Sequence, residues 1–205
     1  MYVFYACRTF IYNKGVLGYK MKEAFMTSFK ITETDVDSFR ICEAKREDAK
    51  EVEALLVRTA EWLREQGSSQ WSGLLEGKDT HNMLGSIADG HVFLFKEAEA
   101  LAGVVMLLPQ PSEWDRELWG DQGHEESIYL HRLAVDRHFS GRKLGETILS
   151  WAETGVFYPG KSRIRLDCVS ENGALNAFYR RMGYQLIERR HSSGFCTYEK
   201  VISTS

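Results

Sequence analysis

The last third of the sequence places a short strand pattern between two amphipathic helix patterns, and this order constrains the fold more than any other feature. In the strand pattern, Ile164, Leu166 and Cys168 alternate with charged residues. The flanking patterns have apolar residues at helical spacing, namely Leu144, Ile148, Leu149 and Ala152 before the strand and Leu175, Phe178, Tyr179 and Met182 after it. Half-buried strands that alternate with one-sided helices are typical of a layered α/β or α+β domain.

The middle of the chain extends this pattern. A helix is predicted to begin near Lys45 and to end at Gly67, because apolar residues recur on one face between them. Further strands are predicted at 39–42, 91–95, 101–107, 128–135, 184–188 and 195–202. The polar segment 113–126 is predicted to be a loop. We therefore expect a mixed sheet with helices packed against it.

Charge and cysteine usage exclude several classes of protein. The 26 basic and 29 acidic residues give a net charge of -3, so the chain lacks the basic footprint of a nucleic-acid-binding protein. No apolar run is long enough to cross a bilayer. The four cysteines lie far apart without a C-x-x-C pair, which favours a reduced chain over a disulfide framework or a zinc site. We expect a soluble, cytoplasmic protein that binds no metal, nucleic acid or membrane.

The composition changes near residue 38. Residues 1–38 are rich in aromatic side chains and show no sustained periodicity, whereas regular patterns begin at Phe39. We expect 1–38 to be a dispensable N-terminal extension, with translation starting at Met26, and 39–205 to form one domain.

One segment matches a phosphate-binding signature by its letters alone. Residues 155–162 satisfy G-x-x-x-x-G-K-[ST], but a phosphate-binding loop of that type must follow a strand and open a helix. Here a helix pattern precedes the match and a strand pattern follows it. We therefore interpret the segment as a helix-to-strand connection and not as a nucleotide site.

A second loop, 140–145, has the order that an anion site needs. It follows a predicted strand, contains Ser140 and Gly141, and opens a predicted helix whose first amides and dipole favour an anion. Arg142 and Lys143 add positive charge. An exposed turn with two solvated basic residues explains the same letters equally well.

The surrounding residues favour the anion site. The run His131-Arg132-Leu133-Ala134-Val135 precedes the loop, and a later segment from Asn172 to Tyr184 reads N-x-x-L-x-x-F-Y-x-x-x-G-Y. With these two segments the chain resembles the GNAT superfamily of acyl-CoA-dependent N-acetyltransferases over residues 39–201. The resemblance implies a mixed, mostly antiparallel central sheet flanked by helices, and acetyl-CoA as co-substrate.

The resemblance also implies which residues bind acetyl-CoA. The expected contacts are Leu133, Ala134 and Val135 to the pantetheine arm, Ser140, Gly141, Arg142, Lys143, Leu144 and Gly145 to the pyrophosphate, and Asn172, Phe178 and Tyr179 from the later segment. The family loop reads R/Q-x-x-G-x-G/A. In this chain Ser140 and Lys143 replace its first two conserved positions, and Gly145 keeps the third.

The catalytic candidates follow from the chemistry of acetyl transfer to an amine. Tyr179 matches the family tyrosine that protonates the CoA thiolate, although it also fits the apolar stripe of its helix. Glu125, Glu126, His131 and Asp167 are all candidates for the general base. His131 is preferred because a free imidazole has a pKa of about 6.5.

Four tryptophans are candidates for the wall of the acceptor pocket. Trp62 is predicted to be a core residue because it lies on the apolar face of its helix, whereas Trp71, Trp114 and Trp119 are predicted to line the pocket.

These observations predict an N-acetyltransferase that moves an acetyl group from acetyl-CoA to a primary amine, expected to be a small molecule, by direct transfer in a ternary complex. Two alternatives stay open: a GNAT-fold module that binds CoA or a partner without catalysis, and a protein or peptide N-acetyltransferase. The prediction is also compatible with a homodimer.

Overall fold

The predicted alternation of strands and helices forms one main sheet and its covering helices. A computed structural model describes residues 29–78, 81–190 and 193–203. In chain order the elements are β1 (Lys30–Ile31), β2 (Asp35–Val36), β3 (Phe39–Glu43), α1 (Ala49–Glu65), α2 (Ser72–Leu75), α3 (Met83–Ala88), β4 (Val92–Glu97), β5 (Ala100–Leu108), α4 (Glu113–Trp119), β6 (Ser127–Val135), α5 (Leu144–Thr154), β7 (Val156–Phe157), β8 (Arg163–Val169), α6 (Gly173–Arg181), β9 (Gln185–Arg190) and β10 (Phe195–Val201). Short 3-10 turns precede α1 and α5.

The main sheet has eight strands in the order β2-β3-β4-β5-β6-β8-β10-β9. All neighbouring strands are antiparallel except β6 and β8, which are parallel. The parallel pairing extends only from Ser127 and Arg163 to Tyr129 and Arg165. Both strands continue beyond these residues, and the sheet opens between them. The mixed, mostly antiparallel sheet confirms the predicted fold class.

The two faces of the sheet are buried against different helices. On one face α5 contributes Ile148, Leu149 and Trp151 to a core that also contains β8 residues and Tyr179 of α6. On the other face α1 contributes Val52, Leu55 and Leu56. Because both faces are covered, the central strands β4 and β5 are apolar along most of their length.

Part of the segment expected to be an extension belongs to the sheet structure. In residues 29–38, β2 pairs with β3, and β1 pairs with β7. The backbone amides of Thr32 and Glu33 also donate to the carbonyl of Gly155 at 2.9 and 3.2 Å. The domain therefore begins before Phe39. Residues 1–28, including Met26, lie outside the described residues, so the expectation that they are dispensable stays a prediction.

The segment 155–162 has the letters of a nucleotide-binding loop but not its architecture, because it follows a helix and leads to a strand. Gly155 ends α5, and the strand β8 begins at Arg163. Lys161 is buried, and its Nζ donates to the carbonyl oxygen of Pro109 at 2.7 Å. The segment is the predicted helix-to-strand connection.

Within the described residues, no helix combines the length and the apolar character needed to cross a membrane.

Candidate functional site

A cavity of about 1610 Å³ occupies the opening between β6 and β8. Its walls are the divergent ends of these two strands, the N-terminal half of α6, one face of α4 and the segment that contains Trp71. The cavity therefore lies where parallel pairing stops. Of the predicted site residues, it brings together His131, Leu133, Ala134, Val135, Asn172, Phe178 and Tyr179.

A bulge in β6 faces this cavity. Between the paired residues His131 and Ala134, β6 contains two residues, Arg132 and Leu133, where β5 contains one. Arg132 adopts a left-handed φ of 52°. An extra residue in one strand leaves backbone groups outside the ladder. The bulge therefore offers backbone hydrogen-bonding groups to a ligand in the opening.

Two charged side chains face each other where the strands separate. His131 and Asp167 each lie two residues beyond the last paired positions, Tyr129 and Arg165, and therefore on the same face of the sheet. His131 Nε2 lies 3.1 Å from Asp115 Oδ2 on α4. One ring nitrogen of His131 and one carboxylate oxygen each of Asp115 and Asp167 all lie within 4.8 Å of one another. The structure thus assembles an imidazole and two carboxyl groups beside the cavity.

Burial and mutual charge set the protonation of this cluster. Burial alone would lower the pKa of His131, but Asp115 and then Asp167 raise it above its ordinary value. Burial alone would raise the pKa of Asp115, but the charge of His131 and hydrogen bonds from Ser112 hold it below its ordinary value. Burial raises the pKa of Asp167 to about 6, although His131 opposes this rise. The two carboxyl groups therefore favour the charged form of His131, and His131 in turn favours the charged forms of Asp115 and Asp167.

Asp115 was not predicted to be a site residue, because the segment 113–126 was predicted to be a loop. Its first half is the helix α4, and Ser112 caps it by accepting a hydrogen bond from the Asp115 amide at 3.1 Å. Asp115 accepts reciprocal bonds from the amide and hydroxyl of Ser112 at 2.8 and 2.6 Å. The serine three residues before an acidic residue was the sequence signal for this capping box.

Tyr179 lies on the opposite side of the opening from Asp167. It is buried in the core that includes Leu166 and Cys168, which alternate with Asp167 along β8. Burial raises the pKa of the Tyr179 phenol far above its ordinary value, and neighbouring Cys168 and Asp167 add to the rise. The phenol therefore keeps its proton at neutral pH, as a proton donor must.

The remaining residues of the later segment have structural contacts at the cavity. Asn172 caps α6, since its Oδ1 accepts from the amide of Leu175 at 3.0 Å. Phe178 lines the cavity, and a Cβ at Gly145 would lie 3.9 Å from its ring. That distance is an ordinary van der Waals contact, so a side chain at position 145 would also fit against α6.

The loop 140–145 differs from the expectation in its side chains. The Arg142 guanidinium binds Glu97 of the β4–β5 hairpin at 2.5 and 2.8 Å and lies over the rings of Phe39 and Phe139. Arg142 and Lys143 line a separate pocket of about 410 Å³ beside α5. These two side chains therefore do not supply charge to the main cavity. Leu144 is buried in the core.

The backbone of this loop has two residues in the left-handed conformation immediately before α5. Gly141 and Lys143 have left-handed φ values of 79° and 59°, and Ser140 precedes them with extended backbone. Lys143 is the N-cap of α5, whose first amides have no partner within the helix. The contacts of Ser140, Gly141 and Gly145 to pyrophosphate stay a prediction, for which the backbone amides at the start of α5 are available.

Lys78, Arg132 and Arg137 are basic side chains at the cavity that were not predicted to be site residues, and Arg137 has a defined aromatic partner. Its guanidinium lies 4.3 Å from the centre of the Trp62 ring, and both residues line the cavity. The expectation that Trp62 is a core residue is therefore wrong: its ring supports Arg137 at the cavity wall. Trp71 and Trp114 line the cavity as predicted, whereas Trp119 packs under the Arg165 guanidinium at 4.4 Å.

Two of the candidate bases lie away from the cavity. Glu125 and Glu126 are exposed, and Glu126 pairs with Arg163 at 2.8 Å. Neither residue is part of the cavity wall. His131 and Asp167 are the candidates that reach it.

Comparison with known proteins identifies the family of the chain. The model of the "Acetyltransferase (GNAT) family" matches residues 56–184. The "Uncharacterized N-acetyltransferase YesJ" of Bacillus subtilis (strain 168) is 62% identical over 179 residues, which cover 87% of this chain and 99% of the relative.

Solved structures show the same fold. A GNAT-family acetyltransferase from Listeria monocytogenes is 37% identical, with a TM-score of 0.67 over 80% of this chain and 95% of that one. The PaiA N-acetyltransferase from Thermoplasma acidophilum, solved in complex with coenzyme A, is 18% identical, with a TM-score of 0.61 over 80% of this chain and 99% of that one.

Proposed function

Because the chain belongs to the GNAT family of acetyltransferases, we propose that this acetyl-CoA-dependent N-acetyltransferase acts on a small primary amine by direct transfer in a ternary complex. The observation that carries the proposal is the cavity through the opening between β6 and β8. Tyr179 lies on one side of this opening and Asp167 on the other. An acetyl thioester and an amine that enter from different ends would meet between them.

β6 forms one wall of the acetyl-CoA half of the cavity, and the start of α5 follows β6 along the chain, outside the cavity lining. The pantetheine arm would follow Leu133, Ala134 and Val135, where the bulge supplies backbone groups both to the arm and to the developing oxyanion. The pyrophosphate would bind the amides at the start of α5, with Arg137 nearby. Although Ser140 and Lys143 depart from the family pattern, the backbone amides that follow them would still be able to donate hydrogen bonds to phosphate.

The acceptor half has the character of a site for a small cation. Its wall carries the carboxyl groups of Glu113, Glu117 and Asp167 together with the indole ring of Trp114, whereas the Arg132 guanidinium lies over the Trp71 ring at 5.4 Å. Carboxylates in a cleft attract an ammonium group, and aromatic faces stabilise it further. The short helices α2 and α4 stand at this end of the cavity and limit the size of the acceptor.

Direct transfer is favoured over a covalent acyl intermediate. The cysteine at the cavity, Cys168, points into the core, and burial raises the pKa of its thiol to about 12. A thiol with that pKa stays protonated and is a poor nucleophile at neutral pH. The amine itself is therefore the attacking group.

Acetyl-CoA at a hundredfold excess over its dissociation constant is expected to stabilise the protein by about 2.7 kcal/mol. For a chain of this size the melting temperature would rise by about 5 to 10 °C, whereas ATP would cause no comparable rise.

Arg137→Ala should weaken acetyl-CoA binding about tenfold, since it removes a charged partner of phosphate. Arg142→Ala is the matched control, because its guanidinium is bound to Glu97. Equal loss in both variants would contradict this assignment of the phosphate site.

A screen of acceptors tests the proposed function. Release of CoA thiol would be followed with acetyl-CoA and propylamine, benzylamine or glycinamide, and in parallel with short peptides that present a free N-terminus or a lysine. We expect turnover with small amines. Turnover confined to peptides would favour a protein acetyltransferase, and binding of acetyl-CoA without any turnover would favour a binding module.

A further inference from the structure

We infer that Asp167 is the general base that deprotonates the amine, and that His131 and Asp115 are positioning residues for its carboxylate. The inference rests on the proposed function, because it concerns the acceptor side of the same cavity. It differs from the sequence-based expectation, in which His131 itself was the preferred base.

Asp167 lies where a base for the acceptor amine is needed. Asp167 is the second residue of β8 beyond the last parallel pair, and it borders the cavity at the point where the opening begins. Trp114 Nε1 donates to Asp167 Oδ1 at 3.3 Å, which orients the carboxylate. The other carboxylate oxygen can then accept a proton from an ammonium group in the cavity. A base must lie within hydrogen-bond reach of the proton that it takes, and this position satisfies that requirement for a ligand in the opening.

The surroundings of His131 favour its protonated form. His131 is buried, its Nε2 contacts Asp115 at 3.1 Å, and the His81 ring stacks on it with a centroid distance of 4.3 Å. Burial lowers the pKa of His81 to about 2, so that His81 is neutral. His131 has the carboxyl groups of Asp115 and Asp167 close to its ring, and both raise its pKa, so it is the group of the cluster that favours the cationic form. An imidazolium cannot accept a further proton, whereas Asp167 can.

The other groups that face Asp167 do not compete for the role. From β6, Arg132 lowers the pKa of Asp167 as His131 does, and from α4, Asp115 raises it. Thr197 lies opposite Asp167 on β10, and the protonated phenol of Tyr179 lies across the opening on α6. Asp115 is not available to a substrate proton. Its carboxylate already accepts hydrogen bonds from Ser112, lies beside His131, and is 1% exposed.

The proposed reaction consumes the substrate ammonium and acetyl-CoA. Asp167 takes one proton from the substrate ammonium, and the neutral amine attacks the thioester carbon. A C–N bond forms, the oxyanion collapses and the C–S bond breaks. Tyr179 protonates the CoA thiolate and regains a proton from the nitrogen as the amide forms. Asp167 then releases its proton to solvent, so the net products are the amide, CoA and one proton.

The kinetic test compares Asp167→Asn with the unaltered enzyme, with propylamine or whichever small amine of the screen is turned over. We expect kcat to fall about a hundredfold, within the usual range for loss of a general base. The fall in kcat of the unaltered enzyme below pH about 6, where Asp167 becomes protonated, should disappear in the variant. Affinity for acetyl-CoA, measured by thermal shift, should not change. Glu125→Gln is the matched control, since Glu125 is exposed and lies outside the cavity wall.

A second variant separates positioning from simple structural support. In His131→Gln, Asp167 loses the cation that opposes its protonation, so the acidic limb of the kcat profile should move to higher pH. A residue with only a structural role would lower stability without moving that limb. The coupled groups titrate together, so the limb is assigned to the cluster and its shift is the readout.

A measurement on the resting protein does not require an acceptor. In histidine ring NMR, His131 should titrate above the ordinary histidine range, and Asp167→Asn should lower its midpoint because one of its two anionic neighbours is removed. If small amines are turned over but Asp167→Asn keeps the full rate and the acidic limb, the inference is wrong while the proposed function stands. If acetyl-CoA binds and no amine is turned over, the proposed function fails instead.

Discussion

Tyr179→Phe is expected to lower kcat by about 10²- to 10⁴-fold while leaving acetyl-CoA affinity within a factor of two or three, about 0.6 kcal/mol. The substitution removes the phenolic proton but keeps the ring that packs between Tyr184 and Tyr198 with centroid distances of 6.1 and 5.7 Å. Its suitability as the acid rests on its place at the cavity wall, where the leaving thiolate would form, because an ordinary phenol is already protonated at neutral pH and a raised pKa makes it a weaker donor. Steady-state kinetics and an acetyl-CoA thermal shift on the same preparation would measure both quantities.

Tyr158→Phe is the matched control for this prediction. The Tyr158 hydroxyl donates to the carbonyl oxygen of Ala152 at 2.7 Å in the core, outside the cavity wall. Its loss should cost about 1 kcal/mol of unfolding free energy and leave kcat unchanged. If Tyr179→Phe retained the full kcat, the thiolate would be protonated by another group, and the assignment of Tyr179 as the acid would be wrong.

Trp151→Ala is expected to reduce the free energy of unfolding by about 3 to 5 kcal/mol, and to lower the melting temperature by about 6 to 20 °C. Trp151 is 1% exposed and lies against Phe93 and Phe95 with centroid distances of 5.2 and 5.3 Å. Its Nε1 also donates to the carbonyl oxygen of Glu33 at 2.8 Å. The substitution therefore opens a cavity in the core and frees the strand segment near Glu33. Urea and thermal unfolding would measure the loss.

Two further variants define the origin of that loss. Leu84→Ala, at a side chain that is 65% exposed, should change the free energy of unfolding by less than about 0.5 kcal/mol. Trp151→Phe should recover most of the packing but not the hydrogen bond to Glu33. If Trp151→Ala unfolded at the same urea concentration as the unaltered protein, residues 29–38 and the core face of α5 would contribute less to stability than their burial indicates.

Local patterns predicted most of the fold. The alternation of Ile164, Leu166 and Cys168 and the helical stripes on either side each depend on a few neighbouring residues, and the structure has β8 between α5 and α6 as expected. The helix α4 was missed because its residues form no clear apolar stripe. The only local signal was the serine at 112 with the aspartate at 115, which is short and common in polar segments.

Side-chain direction was less predictable than secondary structure. Arg142 was expected to face phosphate, yet Glu97, 45 positions away in the chain, binds its guanidinium. Trp62 was expected to be in the core, yet its ring lies under Arg137 at the cavity. In each case the decisive partner belongs to a distant segment, so no spacing within the helix or loop could have identified it.

The sequence by itself determined the order of strands and helices, the family resemblance and the choice of Tyr179 as the candidate proton donor, because each depends on residues that are neighbours along the chain. Only the tertiary structure decided how the acceptor side is charged. Asp115, His131 and Asp167 come from α4, β6 and β8. They meet because parallel pairing stops after Tyr129 and Arg165 and the capped helix α4 covers that point. The pKa values of the three groups follow from this proximity and burial, since the energy of a charge depends on its distance from other charges and from water.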